Sequence, residues 1–311
     1  MSSLFRILLW TLPAWLCQCK SPYSPSPSQQ PMTPVFGSIA PVNPKTTPQA
    51  KPSPTPKPEA LGYPSYPPSP AHSTSWSTER TSPPETLHPA ASHHQIRVVS
   101  PAKSIDLDLV IFDSRQLRLA VIDQPNPNAG GRAIANLLRQ HNAIAGVNGG
   151  FFSPDFKPLG LSISNGRLLS SFTTSSLIAG TALQLGDQSY LIWNSEYQGH
   201  SNITDALQSG PRLLESSRPI KGLDASKSRA RTFIATDGSF LWAIGTADSC
   251  SLGALAQALA TPGALPGLRP MRALNLDGGN STALWFRNLS GKETSRPGWS
   301  TVRNYLAIIP K

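Results

Sequence analysis

Three groups of residues in this sequence are able to do chemistry. The first is Asn148-Gly149-Gly150-Phe151-Phe152. Tandem glycines admit positive φ and close backbone approach, so their N–H groups can converge on an anion, and the aromatic pair could wall the face of a sugar. The same string also reads as a plain strand-ending turn with both rings in the core. The second is Asn275-Leu276-Asp277-Gly278-Gly279-Asn280-Ser281-Thr282. Here a carboxylate ends an apolar lead-in, two glycines expose it, and the following hydroxyls can orient it or donate to a substrate oxygen. An Asp-Gly hairpin turn is the alternative, and the buried-looking Ala273-Leu274 lead-in weighs against it. The third group is Ser209-Gly210-Pro211-Arg212 with Ser228-Arg229-Ala230-Arg231-Thr232. Guanidinium forks match phosphate oxygens, although an exposed arginine more often only solvates a surface.

The elements that must position these turns are legible from periodicity. Ile105 to Phe112 alternates and then runs apolar, a strand; Leu117 to Asp123 is another, and Ala143 to Val147 is a short buried one. Gly131 to His141 carries a helical stripe at Ile134, Leu137 and Leu138, and Leu252 to Leu259 reads as a helix capped by Ser251. Hairpins are expected around Asn165-Gly166, Gly186-Asp187 and Asp237-Gly238, the last an ordinary Asp-Gly turn. Ala273 to Leu276 and Thr282 to Phe286 flank the Asp277 turn, and Tyr305 to Ile309 is a closing strand. Many hairpins and few helices predict an α+β fold, a largely antiparallel or mixed central sheet with helices packed on it. His141 and His200 have no partner spacing, so neither a His-based triad nor a metal cluster is suggested. Cys250 stands alone.

Composition divides the 311 residues in two. Of 32 prolines, 19 lie between Pro22 and Pro89, in a stretch rich in Ser and Thr with almost no aliphatic residues. Such a segment cannot bury enough apolar surface to offset its entropy, so residues 20–93 are expected to be a disordered linker. The remaining residues, 94–311, suffice for one sizeable core. The net charge of +10 favours an anionic partner, but no run of Lys or Arg occurs in the domain, and a nucleic-acid partner is not expected. Met1 to Cys19 pairs Arg6 with an apolar run from Ile7 to Leu16, the pattern of an export signal and too short to span a bilayer. Leu16-Cys17-Gln18-Cys19 fits a lipoprotein signal at its first and last positions only. Lipid on Cys17 or Cys19 would be the one membrane attachment. The chain is thus expected outside the cytoplasm, as a periplasmic, cell-envelope or secreted protein.

Taken in order, the motifs resemble the phosphodiester glycosidase family. The matching strings are Ala145 to Phe152, Ser209 to Leu214, Arg231-Thr232, Ser251-Leu252-Gly253, Asn275 to Thr282, and Arg303-Asn304 before the last strand. The resemblance covers about residues 95–311. The chain departs from it at Ala230, where the family often has proline. It departs again at Asp248-Ser249-Cys250, where an acidic-Gly-Arg turn is common. The resemblance implies hydrolysis of a sugar joined through its anomeric carbon to a phosphodiester, such as an N-acetylglucosamine 1-phosphodiester in a phosphorylated glycan.

That chemistry is coherent with the residues. A phosphodiester is already ionised and its departing phosphate needs little protonation, so cations and a water-directing carboxylate matter more than a strong acid. Asp277 fits the carboxylate role, with Asp248 as its partner. Arg231, with Arg212, fits the phosphate. Asn148, Asn280 and Ser281 would hold sugar hydroxyls or an acetamido group. Gly149, Gly150, Phe151, Ser209, Gly210, Thr232, Gly278 and Gly279 complete the expected site. No ligand cluster requires a metal, although the Asp-lined turn could take Ca²⁺ or Mg²⁺. The alternative is a non-catalytic module that uses the same turns to bind a surface glycan or another anion.

Overall fold

The structure is a computed structural model that describes residues 76–80 and 82–311. The expected export signal, both N-terminal cysteines and most of the expected linker lie outside the described residues. The chain runs β1 (Ser77–Arg80), β2 (Glu85–His88), β3 (Ala91–Ser100), β4 (Lys103–Asp113), β5 (Leu117–Asp123), α1 (Ala133–Gln140) and β6 (Ala145–Asn148). It continues through β7 (Ser162–Ser164), β8 (Arg167–Ser170), β9 (Gly180–Leu185), β10 (Gln188–Trp193), β11 (Ile203–Ser209), β12 (Arg212–Glu215) and β13 (Arg218–Pro219). It ends with β14 (Arg229–Thr236), β15 (Leu241–Cys250), α2 (Leu252–Ala260), β16 (Arg272–Asn275), β17 (Leu284–Arg287), β18 (Glu293–Arg296) and β19 (Asn304–Pro310).

The strands form three sheets. The largest has the order β1-β3-β4-β15-β14-β16-β12-β13, with β2 also on β3; the others run β10-β9-β11-β7-β8 and β18-β17-β6-β19-β5. Neighbouring strands are antiparallel throughout. The central core collects Val110, Ile234 and Ile244 from the first sheet, Leu191 and Leu207 from the second, and Val147 and Leu306 from the third. The opposite face of the first sheet, with Leu107, Leu109 and Phe233, is covered by Leu255 and Leu259 of α2. Ile134 and Leu138 of α1 cover the outer face of the third sheet beside Trp285 and Tyr305. The second half of β4, Leu109 to Phe112, is continuously apolar because alternate residues serve two cores.

Two expectations are corrected. The described fold is mostly β, with two short helices: the three sheets bury their inner faces on one another, helices cover the outer faces of two of them, and Phe172 and Tyr197 pack on the outer face of the second. Order also begins before residue 94. Strands β1 and β2 and the first residues of β3 occupy the Pro/Ser-rich stretch, held by pairing to β3 and by buried Leu87 and Ala91.

Three other readings are found as local chemistry dictates. Ser251 caps α2, its hydroxyl accepting the Ala254 N–H at 3.2 Å. Asn165 and Gly166 take φ of 47° and 75° in the β7–β8 turn, the left-handed pair that such a hairpin requires. Around the Asp277 turn, however, β16 belongs to the first sheet and β17 to the third, so the segment crosses between sheets and is not a hairpin.

Candidate active site

The Asn148-Gly149-Gly150 and Asp277 turns meet at a seam between sheets. Asn148 ends β6 fully buried. Its Oδ1 accepts from Thr232 Oγ1 at 2.6 Å and from the Ala283 N–H at 3.0 Å, while its Nδ2 donates to the Asp277 carbonyl at 2.8 Å. The Gly149 carbonyl accepts the Asp277 N–H at 3.1 Å, and the Gly149 N–H donates to the Asn304 carbonyl at 2.9 Å. The Gly150 N–H donates to Asn304 Oδ1 at 3.0 Å. A Cβ on Gly149 would stand 1.9 Å from Asn304 Oδ1, which is why glycine is needed there. Asn148 therefore uses its amide to join β6, β14 and the Asp277 turn.

Asp277 itself is half-buried. Its Oδ1 accepts the Gly278 N–H at 2.8 Å, and Ser281 hydrogen-bonds the same carboxyl. Burial raises its pKa above the ordinary carboxylate value, and those two hydrogen bonds pull in the opposite direction. A Cβ on Gly278 would come within 2.8 Å of the Ala230 carbonyl, so the turn lies flat on the start of β14. Gly279 has φ of 62°, and the exposed Arg229 guanidinium reaches to 3.9 Å from where its Cβ would be. The Asn280 carbonyl accepts N–H groups from Trp299 at 2.7 Å and Ser300 at 3.1 Å, which straps the turn from outside.

The remaining expected residues are distributed unevenly. Arg231 is buried, and donates from Nε to the Cys250 carbonyl at 3.0 Å and from its fork to the Lys227 carbonyl at 2.8 Å. Burial lowers its pKa, and that fork serves the main chain. Ser209 is fully buried with its hydroxyl lacking a hydrogen-bond partner among the described residues, and the Gly210 carbonyl accepts from Asn275 Nδ2 at 2.8 Å, two residues before Asp277. Arg212 points elsewhere, 5.3 Å over the Trp193 ring and 3.8 Å from Glu215, in a separate cleft of about 340 Å³. Phe151 is half-buried, and Phe152 packs on the third core against Phe156.

Asp248 is exposed and accepts the Asp106 N–H at 3.0 Å; it lines a cleft of about 450 Å³ that does not include Asp277. Among the described residues no hydrogen bond or charge effect joins the two carboxylates. Nor do three or more of His, Cys, Asp and Glu group so as to hold a metal ion. Arg229 and Asn304 were not among the expected site residues. Both sit inside strings already quoted, Arg229 two positions before Arg231, and Asn304 at the start of the last strand.

Residues 141–309, which hold all of these turns, match the phosphodiester glycosidase family. The chain belongs to that family. No curated protein matches it in sequence. Among solved structures, this chain resembles the zebrafish N-acetylglucosamine-1-phosphodiester alpha-N-acetylglucosaminidase catalytic domain, auto-inhibited by its pro-peptide. That match has a TM-score of 0.53 and 14% identity over 76% of this chain and 89% of the zebrafish one. It also resembles a hypothetical protein from Synechocystis, with a TM-score of 0.52 and 16% identity over 71% of this chain and 62% of the other. At such identities the likeness is one of fold.

Proposed function

We propose that this phosphodiester glycosidase is an exported hydrolase acting on a sugar-1-phosphodiester, with an α-linked N-acetylglucosamine 1-phosphodiester as the first substrate to test. The observation that carries the reading is the half-buried Asp277 carboxyl, oriented by Gly278 and Ser281 on a turn clamped to Asn148 and Gly149. A carboxylate held this way can direct water or stabilise positive charge at the anomeric carbon. Water adds across the sugar–oxygen–phosphorus linkage to give free sugar and a phosphate monoester. Arg229, exposed beside Gly279, supplies a cation for the phosphate, and Arg231 holds the strand that carries it. Asn280 and Ser281 face the sugar. Residues 1–19 serve as the export signal, and the Pro/Ser-rich segment tethers a domain that starts at β1.

The zebrafish enzyme's name supports the choice of substrate. A second reading, glycan or anion binding without turnover, draws on Arg231 being spent on main-chain carbonyls and on Asp248 lying in another cleft. Release of free sugar by the full chain, measured beside Asp277→Asn and Arg231→Ala with and without EDTA, separates the two. Turnover lost in folded Asp277→Asn supports catalysis. A folded protein that binds the diester and never turns it over sinks it.

A further inference from the structure

Five large apolar side chains are exposed among the described residues: Leu159, Leu168, Leu177, Leu289 and Trp299. Three of them stand on segments tied to the turns that meet at the Asp277 seam. The Leu159 N–H donates to the carbonyl of Phe151, the residue after Gly150, at 2.8 Å. The Leu177 carbonyl lies against Gly210, where a Cβ would overlap it, and the Gly210 carbonyl in turn accepts from Asn275 at 2.8 Å. Trp299 donates its N–H to the Asn280 carbonyl at 2.7 Å. Trp299 is 92% exposed and Leu177 71%. One exposed leucine needs no explanation, but three large apolar side chains bordering a single seam mark an interaction surface.

The charges on this rim are a second, independent observation. Lys157 lies two residues before Leu159. Arg132 follows Gly131, which packs so closely on the Gly298 carbonyl beside Trp299 that a Cβ would overlap it. Arg229 reaches the Gly279 turn. All three are exposed, and none forms an ion pair among the described residues. By contrast, the exposed Arg97, Arg115 and Arg139 are each answered by a carboxylate. Asp155 is the one exposed carboxylate on the rim segments. Projecting Trp and Leu side chains beside unanswered cations match the boundary of a bilayer, where apolar groups enter the headgroup layer and Lys or Arg meets lipid phosphates.

We infer that the edge of the molecule carrying the reacting turns docks on an anionic lipid surface, with Trp299, Leu177 and Leu159 entering the headgroup layer. This attachment is separate from the lipid considered for Cys17 or Cys19, and it does not rest on the function proposed above. Where that function holds, docking brings the Asp277 turn to diesters whose alcohol half is anchored in the same membrane.

The test mixes the full chain with vesicles of phosphatidylcholine alone, or of phosphatidylcholine with phosphatidylglycerol, and reads flotation together with segment-resolved hydrogen exchange. The local readout is needed because the apolar run from Ile7 to Leu16 can bind vesicles by itself. Anionic vesicles are expected to slow exchange in residues 151–160 and 297–301, less so as salt rises. The vesicle concentration that half-protects these residues rises about fivefold in Trp299→Ser and in Leu177→Ser. It rises about tenfold in Lys157→Glu with Arg132→Glu. All these variants melt with the parent, because every replaced side chain is exposed. The inference is overturned if neutral vesicles protect as well as anionic ones, if protection falls only outside these residues, or if the substitutions leave it unchanged. Protection by soluble polyglutamate and not by vesicles also overturns it, and assigns the rim to an acidic protein. Docking without turnover would sink the catalytic proposal and keep this one; turnover of a soluble diester without docking would do the reverse.

Discussion

Replacing Asn148 with alanine separates a clamp from a ligand contact. The side chain makes three hydrogen bonds in a site with no solvent access: to the Thr232 hydroxyl at 2.6 Å, the Ala283 N–H at 3.0 Å and the Asp277 carbonyl at 2.8 Å. Truncation strands a buried N–H and a buried carbonyl at about 1–3 kcal/mol each, while the Thr232 hydroxyl can rotate to recover part of its loss. The missing amide volume adds a small cavity. The sum is about 3–5 kcal/mol, a large part of the 5–15 kcal/mol typical of a domain. For a domain of this size that lowers Tm by about 6–20 °C. Urea and thermal unfolding of the full-length parent and variant measure it. A loss below about 1 kcal/mol, accompanied by a large fall in sugar affinity, would refute the clamp and restore Asn148 as a substrate contact.

Other substitutions have equally direct outcomes. Gly149→Ala puts a Cβ 1.9 Å from Asn304 Oδ1 and is expected to cost about 3 kcal/mol or to abolish soluble protein, whereas Gly253→Ala in α2, with its nearest neighbour at 3.7 Å, should be neutral or stabilising on the same denaturation curve. Ser251→Ala removes the α2 cap and should lower stability by about 1 kcal/mol. Asp277 has a folded pKa above its unfolded one, so its charged form destabilises the fold at neutral pH. Asp277→Asn should therefore be more stable than the parent at pH 7, with the difference fading as pH falls from the raised folded value towards the ordinary carboxylate range and gone below it. The acid limb of the pH–rate profile should lie above that range for the same reason, and an acid limb at or below an unperturbed carboxylate would count against Asp277 as the group that must be ionised.

What could be read from the sequence was local. Strand β5, both helices, the Ser251 cap and three hairpins follow from periodicity and turn chemistry within about ten residues. The position of Asp277 on a turn followed from the glycines around it. Long-range pairing was not legible. Nothing local distinguishes an asparagine that binds a sugar from one that joins strands β6 and β14, which lie 84 positions apart at Asn148 and Thr232. Arg231 and Arg229 differ by two positions, yet one is buried under α2's sheet face and the other exposed, because the pairing of β14 with β15 shifts register between them. Asp248 was expected as a partner for Asp277, and nothing local in the sequence shows that it lines a different cleft. Proline content hid β1 and β2, whose order depends on pairing with β3 more than on their own composition.

The placement of β19 has a consequence for when this protein can fold. It lies between β5 and β6 and pairs with both, and about 180 residues separate it from β5. Strands β5 and β6 share no edge until it arrives, and Asn304, which receives Gly149 and Gly150, arrives with it. At ordinary synthesis rates that segment takes roughly 10–40 s to emerge. Throughout that interval β5 lacks its partner in the third sheet and one edge of β6 stays unpaired, so this sheet closes only when the last strand is complete.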